Sequence, residues 1–358
     1  MSSFVSRPRI SPRLLITVGV ALALVLLALL PETALASAPR PNWNPGPPWA
    51  PLDPKSPEMH MISNLFWIML VLSGIVFIGV FGALIISIVR FSAGPNAAPG
   101  PQIYGNRIVE ISWTAIPFLI LIGAFIITAK YIHDINTSQA AGPPLNIIAP
   151  GHQWWWEFYY PSLGVVTANE VHVPAGVPLH FHVESADVIH SFWAPQLQRQ
   201  IDANPGQDNA VFVTMPETGV YGGACYEYCG DAHAWMKFEV IVQTPHDFAL
   251  WVKHQKSPPA APSNSLIALG RTVFMTHTCI KCHTITGVPG ASGSVGPNLT
   301  HVGSRWAIAA GALPVSVPTV MMWIHDPNAY KPGVLMPGYP LLSQKDLRAL
   351  ATYLVSLK

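Results

Sequence analysis

Hydrophobic and polar positions divide the chain into three textures. Long, predominantly apolar runs occupy residues 14–30, 61–89 and 111–132. Over residues 145–243, short β-branched and aromatic runs alternate with turn residues. Examples are Gly164-Val165-Val166, Val177-Pro178-Leu179-His180-Phe181-His182-Val183, Ala210-Val211-Phe212-Val213 and Lys237-Phe238-Glu239-Val240-Ile241-Val242. From Asn264 onward, apolar residues return at helical spacing (Leu266, Leu269, Val273, Phe274). In order, these textures predict membrane-length helices, an all-β sandwich or barrel and an all-α domain.

The three apolar runs are not equivalent. Arg7, Arg9 and Arg13 precede the first, and Ala34-Leu35-Ala36 follows it. That order of basic, apolar and small residues predicts a secretory signal peptide over 1–36. A Pro-rich exported segment covers 37–60. The other two runs predict a two-helix transmembrane hairpin over 61–133, each long enough for a bilayer core of about 30 Å. The loop between the spans carries Arg90 and Arg107 without an acid, whereas Asp53 and Glu58 precede the first span. Positive-inside reasoning therefore places the loop in the cytoplasm and everything after Ile132 outside. The signal peptide predicts the same sidedness independently. Beyond the β domain (145–245), a linker over 246–263 holds a short helix at 248–256 and the stiff stretch Ser257-Pro258-Pro259-Ala260-Ala261-Pro262-Ser263. The last domain spans 264–358, and its final helix, over 343–357, opens with Ser343 and Asp346 placed as a capping pair.

Composition agrees with this division and narrows the chemistry. The 358 residues are 50% hydrophobic and only 10% charged, against roughly 25% charged for an ordinary soluble chain. A net charge of +1 argues against nucleic acid as a partner. All four cysteines sit in two short motifs, Cys225 with Cys229 and Cys279 with Cys282. None is left for a structural disulfide, which in an exported chain points to cofactor chemistry.

Cys279-Ile280-Lys281-Cys282-His283 is C-x-x-C-H, the attachment signature of a c-type haem. Its two thiols bond the haem vinyl groups and His283 becomes the proximal iron ligand. The candidates for a sixth ligand are Met321, Met322, His301, His325 and Met336, of which Met321 and Met322 are expected to be helix or core residues. The other motif, Cys225-Tyr226-Glu227-Tyr228-Cys229-Gly230-Asp231-Ala232-His233-Ala234-Trp235-Met236, gathers two thiolates, an imidazole and a thioether. Such soft donors suit copper, zinc or an iron–sulfur centre. Met236 is a poor zinc ligand and favours copper over a tetrahedral zinc site.

Two resemblances sharpen these readings. Lys331-Pro332-Gly333-Val334-Leu335-Met336-Pro337 resembles the segment that presents the axial Met in class I cytochromes c, and Gly296-Pro297-Asn298-Leu299 resembles their haem-packing loop. This resemblance covers 264–358 and implies a His283–Met336 axial pair. Ser185-Ala186-Asp187-Val188-Ile189-His190-Ser191-Phe192-Trp193, together with the Cys225 motif, is similar to the dinuclear copper site (CuA) of cytochrome c oxidase subunit II. The resemblance implies a cupredoxin-like fold. It also implies a copper pair held by His190, Cys225, Cys229, His233, Met236 and the backbone oxygen of Glu227. Asp187 is expected to orient His190.

The same resemblance implies that the Glu227 carboxylate reaches a magnesium ion at the interface with subunit I. It makes Trp154, in Gln153-Trp154-Trp155-Trp156, the point where electrons arrive, with Trp155 and Trp156 for packing. Glu110, in Glu110-Ile111-Ser112-Trp113-Thr114-Ala115-Ile116-Pro117, falls at the mouth of a proton channel into subunit I. Ile201-Asp202-Ala203-Asn204-Pro205-Gly206 also resembles the family, but Gln200 and Gln207 stand where Lys and Arg are usual. Interface ion pairs of relatives therefore do not carry over.

The expected fold class is multidomain: an N-terminal transmembrane α-hairpin, an all-β cupredoxin-like domain and a C-terminal all-α cytochrome c domain. The implied setting is a bacterial cell membrane, multi-pass, with the copper and haem domains on the periplasmic side. The implied role is subunit II of a caa-type cytochrome c oxidase with a fused cytochrome c. Electrons would come from a periplasmic donor or a quinol–cytochrome c reductase. They would pass by haem c and the copper pair to subunit I, where oxygen is reduced to water with proton translocation. The corresponding subunit of a copper-containing nitric oxide reductase is the alternative. A stand-alone copper-delivery protein fits neither the hairpin nor the haem domain.

Overall fold

The structure is a computed structural model that describes residues 52–92, 102, 104–137 and 142–358. The expected signal peptide, its cleavage site and most of the Pro-rich segment lie outside the described residues, as does most of the loop between Arg90 and Arg107.

Two helices, α1 (Pro57–Arg90) and α2 (Arg107–Thr137), are long and apolar enough to cross a membrane. α1 starts at Pro57, inside the stretch read as an extended exported segment. Proline is tolerated there because its missing N–H falls at the first helical position. Ser56 caps the turn, its Oγ accepting from Met59 N at 3.1 Å. At the head of α2, Asn106 Oδ1 accepts from Ile108 N and Val109 N at 3.1 and 3.2 Å.

Ten strands follow. They are β1 (Leu145–His152), β2 (Trp155–Tyr160), β3 (Val165–Ala168), β4 (Glu170–Pro174) and β5 (Pro178–Ser185), then β6 (His190–Trp193), β7 (Ile201–Ala203), β8 (Asn209–Thr214), β9 (Gly219–Cys225) and β10 (Lys237–Gln243). They make two five-stranded sheets, ordered β3-β2-β1-β5-β8 and β4-β10-β9-β6-β7. β1 pairs with β5, and β4 with β10, in parallel; the other neighbours are antiparallel. Strand periodicity sets the faces. Along β5, Leu179, Phe181 and Val183 are buried while His180 and His182 are not. Trp156, Phe158, Phe181, Phe192 and Phe238 fill the space between the sheets. Their rings meet edge-on or stacked, with Phe192 and Phe238 centroids 4.5 Å apart and Trp156 and Phe192 5.2 Å apart.

After β10 come α3 (Pro245–Gln255), α4 (Ser265–Thr276), the single turn α5 (Cys279–Cys282), α6 (Val317–His325) and α7 (Gln344–Ser356). Each long helix carries its own start signal. Asn264 Oδ1 accepts from Ile267 N at 3.0 Å. Ser343 Oγ accepts from Asp346 N at 3.1 Å and donates to the Asp346 carboxylate at 2.8 Å. Phe274, Val320, Ile324, Leu350, Tyr353 and Leu354 form the core of this domain. A short strand pair, Ala307–Ile308 with Leu313–Pro314, adds to the helices.

Candidate metal and haem centres

The connection between β9 and β10 carries all of the expected copper donors except His190. It is pinned at both ends, with Cys225 N donating to Met236 O at 2.9 Å and Tyr226 N donating to Ser191 O at 3.0 Å. β6 lies beside β9 with Phe192 opposite Cys225, so His190 reaches the loop from the neighbouring strand. The two sulfurs, Cys225 Sγ and Cys229 Sγ, are 3.7 Å apart. Each has its own imidazole: His190 Nδ1 is 3.8 Å from Cys225 and His233 Nδ1 is 3.5 Å from Cys229. Met236 Sδ lies 3.9 Å from Cys229 Sγ, and Glu227 O lies 3.2 Å from Cys225 Sγ. His190, Cys225, Cys229 and Met236 are buried. The ligand atoms of His190, Cys225 and Cys229 all fall within 4.8 Å of one another. Paired thiols with one imidazole on each side fit two soft metals better than one tetrahedral zinc.

Asp187 sets which nitrogen of His190 is free. Its carboxylate accepts from His190 Nε2, Val188 N and Gln153 N, each at 2.7 Å. With Nε2 donating, Nδ1 keeps the lone pair and faces Cys225. Burial raises the Asp187 carboxyl, but these hydrogen bonds outweigh it and hold the group below its ordinary range. Burial lowers His190, while its bonds to Asp187 and Cys225 outweigh that and raise it. The sulfur–sulfur contact with Cys229 draws the Cys225 thiol down and pushes Cys229 up in turn.

In the C-terminal domain, Cys279, Cys282, His283 and Met336 line one cavity of about 420 Å³. His283 Nδ1 donates to Pro297 O at 2.8 Å, leaving Nε2 as the nitrogen with a lone pair. Burial lowers its pKa, so the imidazole is neutral, the form that binds metal. Gly296 keeps the ring clear, since a Cβ there would lie 2.6 Å from His283 Cε1. This donor set fits a covalently attached haem. Of the sixth-ligand candidates only Met336 lines the cavity. Met321 packs against the core, Met322 is exposed and His301 Nε2 donates to Ser257 O.

The other wall of that cavity comes from the β domain, including His152, Trp154, Trp155 and Asp187. Trp154 is only 6% exposed. Its Nε1 donates to Cys229 O at 2.9 Å, beside Gln153 Nε2 at 2.8 Å. The indole also meets Gly230 on the copper loop and Gly333 on the loop leading to Met336. A Cβ at either glycine would lie 2.9 Å from the ring, and their φ values of +116° and +83° favour glycine in any case. Trp156 is a core residue, and Trp155 stacks on His152 at 4.3 Å. The Glu227 carboxylate is exposed. Glu110 stands in the first turn of α2, where its Oε1 accepts from Asn106 N at 3.1 Å.

Lys331 and Gln153 belong to this region without a sequence signal of their own. Lys331 is 2% exposed. Its Nζ donates to Trp154 O at 2.5 Å, Trp235 O at 3.0 Å and Ala309 O at 3.1 Å. Burial lowers its pKa, while the three carbonyls it meets favour the charged ammonium. Nothing in the local pattern marks Lys331 as buried between domains or Gln153 as a donor to Cys229 O.

The chain matches three family descriptions: "Cytochrome C oxidase subunit II, transmembrane domain" over residues 52–128, "Cytochrome C oxidase subunit II, periplasmic domain" over 163–244, and "Cytochrome c" over 267–358. It is 35% identical over 312 residues to the cytochrome c oxidase subunit 2 of Alkalihalophilus pseudofirmus, covering 86% of this chain and 90% of that one. To the Bacillus subtilis protein of the same name it is 32% identical over 351 residues, covering 94% and 97%. Among solved structures, the periplasmic domain of subunit II of cytochrome oxidase from Bradyrhizobium japonicum is 32% identical. It covers 33% of this chain and 97% of its own, with a TM-score of 0.32.

Proposed function

This chain belongs to the cytochrome c oxidase subunit II family, and on that footing we propose that its haem domain feeds its copper loop with electrons. The complex it serves is a haem–copper oxidase in a membrane, with subunit I as its partner. In this reading a periplasmic donor reduces the haem domain, and subunit I reduces oxygen to water and moves protons. When bound, haem c and the copper pair would supply one-electron redox chemistry.

The chain's own residues do the holding and the insulating. Cys279 and Cys282 would hold the haem covalently, and His283 and Met336 would serve as its donors. Cys225 and Cys229 would hold the copper pair, together with His190, His233, Met236 and Glu227 O. Asp187 holds His190 in the binding tautomer. A loop pinned to two strands moves little between oxidation states, which favours rapid transfer. The observation that carries the reading is Trp154: its Nε1 bonds Cys229 O, and it lines the cavity of Cys279, Cys282 and His283.

Two further roles rest on the family. Glu110, heading α2, is the proton entrance from the cytoplasm. The Glu227 carboxylate offers a magnesium ion one ligand, so the rest of that site must come from subunit I. Purification of the intact complex tests the reading. Two coppers on this chain, a mixed-valence magnetic-resonance signal, one haem c and oxygen consumption are the expected result. One copper per chain without that signal overturns the dinuclear assignment. Consumption of nitric oxide without oxygen would make the complex a nitric oxide reductase.

A further inference from the structure

We infer that Lys331 is a positioning residue, an internal latch that holds the Met336 loop of the haem domain against the copper loop. The inference rests on the electron-transfer role proposed above and deepens it.

An ordinary lysine keeps its ammonium in water and lays only its stem on the protein. Lys331 does the opposite, being 2% exposed with Nζ inside the contact between the two domains. An ammonium has three protons and no acceptor, and here each proton has a carbonyl. The Trp154 carbonyl lies between β1 and β2, the Trp235 carbonyl lies between His233 and Met236, and the Ala309 carbonyl belongs to the haem domain. One side chain thus ties together the indole-bearing turn, the copper loop and the haem domain. Its partners are carbonyls, which accept along set directions, so the bonds fix orientation as well as distance.

Two neighbouring contacts give the latch its purpose. Gly333, two residues after Lys331, lies against the Trp154 ring, and Met336 is three residues further on. Displacement of Lys331 therefore moves the Met336 loop relative to Trp154. Elsewhere in the same contact, Glu170 Oε1 accepts from Trp306 N at 2.6 Å, with Glu170 itself 6% exposed. Two separated attachments resist rotation as well as separation of the domains. Electron transfer falls off steeply with distance, so fixing this contact sets the rate between the two centres without touching either set of ligands.

The test uses the purified complex carrying Lys331→Met, with Lys331→Gln as a second variant that keeps two amide protons. Exposed Lys345→Met serves as the control. Amide hydrogen exchange over residues 153–156 and 331–336 reads docking independently of any redox reaction. Rapid mixing reads the haem-to-copper rate. In Lys331→Met, exchange rises in both segments and the rate falls roughly tenfold or more. The haem optical and copper magnetic-resonance spectra stay unchanged, Lys331→Gln is intermediate and the control behaves as wild type. Wild-type exchange and rate in either Lys331 variant, with both spectra intact, overturn the latch. A wild-type complex lacking either spectrum overturns the electron-transfer reading instead. If the Met variant fails to assemble, the Gln variant decides by the same two readouts.

Discussion

At Asp187, hydrogen bonds from His190, Val188 and Gln153 meet on one carboxylate and decide which imidazole nitrogen faces the copper loop. Removing it leaves the donors in place but lets the ring turn. Asp187→Ala is expected to weaken copper binding by roughly 10- to 100-fold, as read by competition with a chelator of known affinity; unchanged affinity would assign Asp187 to the turn alone. Met336→Ala keeps the haem attached through Cys279 and Cys282. It should nevertheless lose the optical signature of sulfur ligation and lower the reduction potential. A spectrum that keeps that signature would move the sixth ligand elsewhere. Residues of both kinds were legible through the resemblance of the segments that carry them, Ser185–Trp193 and Lys331–Pro337. Lys331 was not, since its identity is that of any surface lysine and only its burial is unusual.

At the level of elements, short β-branched and aromatic runs marked β3, β5, β8 and β10, and Ser343 with Asp346 marked the start of α7. Ser343→Ala should cost about 1 kcal/mol, a small fall in the melting temperature of the haem domain with the haem spectrum unchanged. Pairing between strands was less visible. β4 and β10 are far apart in sequence, yet they lie parallel with Glu170 opposite Glu239. Burial, and then the charge of Glu170, push Glu239 up to about 7. An acid with a raised folded pKa keeps its proton in the fold where the unfolded chain has released it. Stability therefore falls as pH rises from about 4.5 to about 7, and no further above that. Glu239→Gln should raise the melting temperature by an increment that is near zero at the low end of this window and full at the high end. An increment independent of pH would contradict the shared burial of the two carboxyls.

For the whole molecule, the copper loop joins two adjacent strands of one sheet, β9 and β10, and its donors come together only in the fold, so a metal bound there stabilises the folded state by mass action. Stripping copper with a chelator should lower the unfolding temperature of the β domain while the haem spectrum persists, and an unchanged transition would argue against a buried site. The sequence by itself marked the two long apolar helices, the strand-rich middle, the C-x-x-C-H motif and the sulfur-rich segment after β9, because length, residue type and sulfur spacing are local properties. It showed that α1 begins with an apolar run but not that Pro57 opens it, since a proline at a first helical position looks like any other. Only the tertiary structure decided that one cavity is walled by both domains, that Trp154 is enclosed between Gly230 and Gly333, and that Lys331 is buried across the contact. These are meetings of residues as many as 177 positions apart. They arise from the way two independently patterned cores come together, which no local pattern encodes.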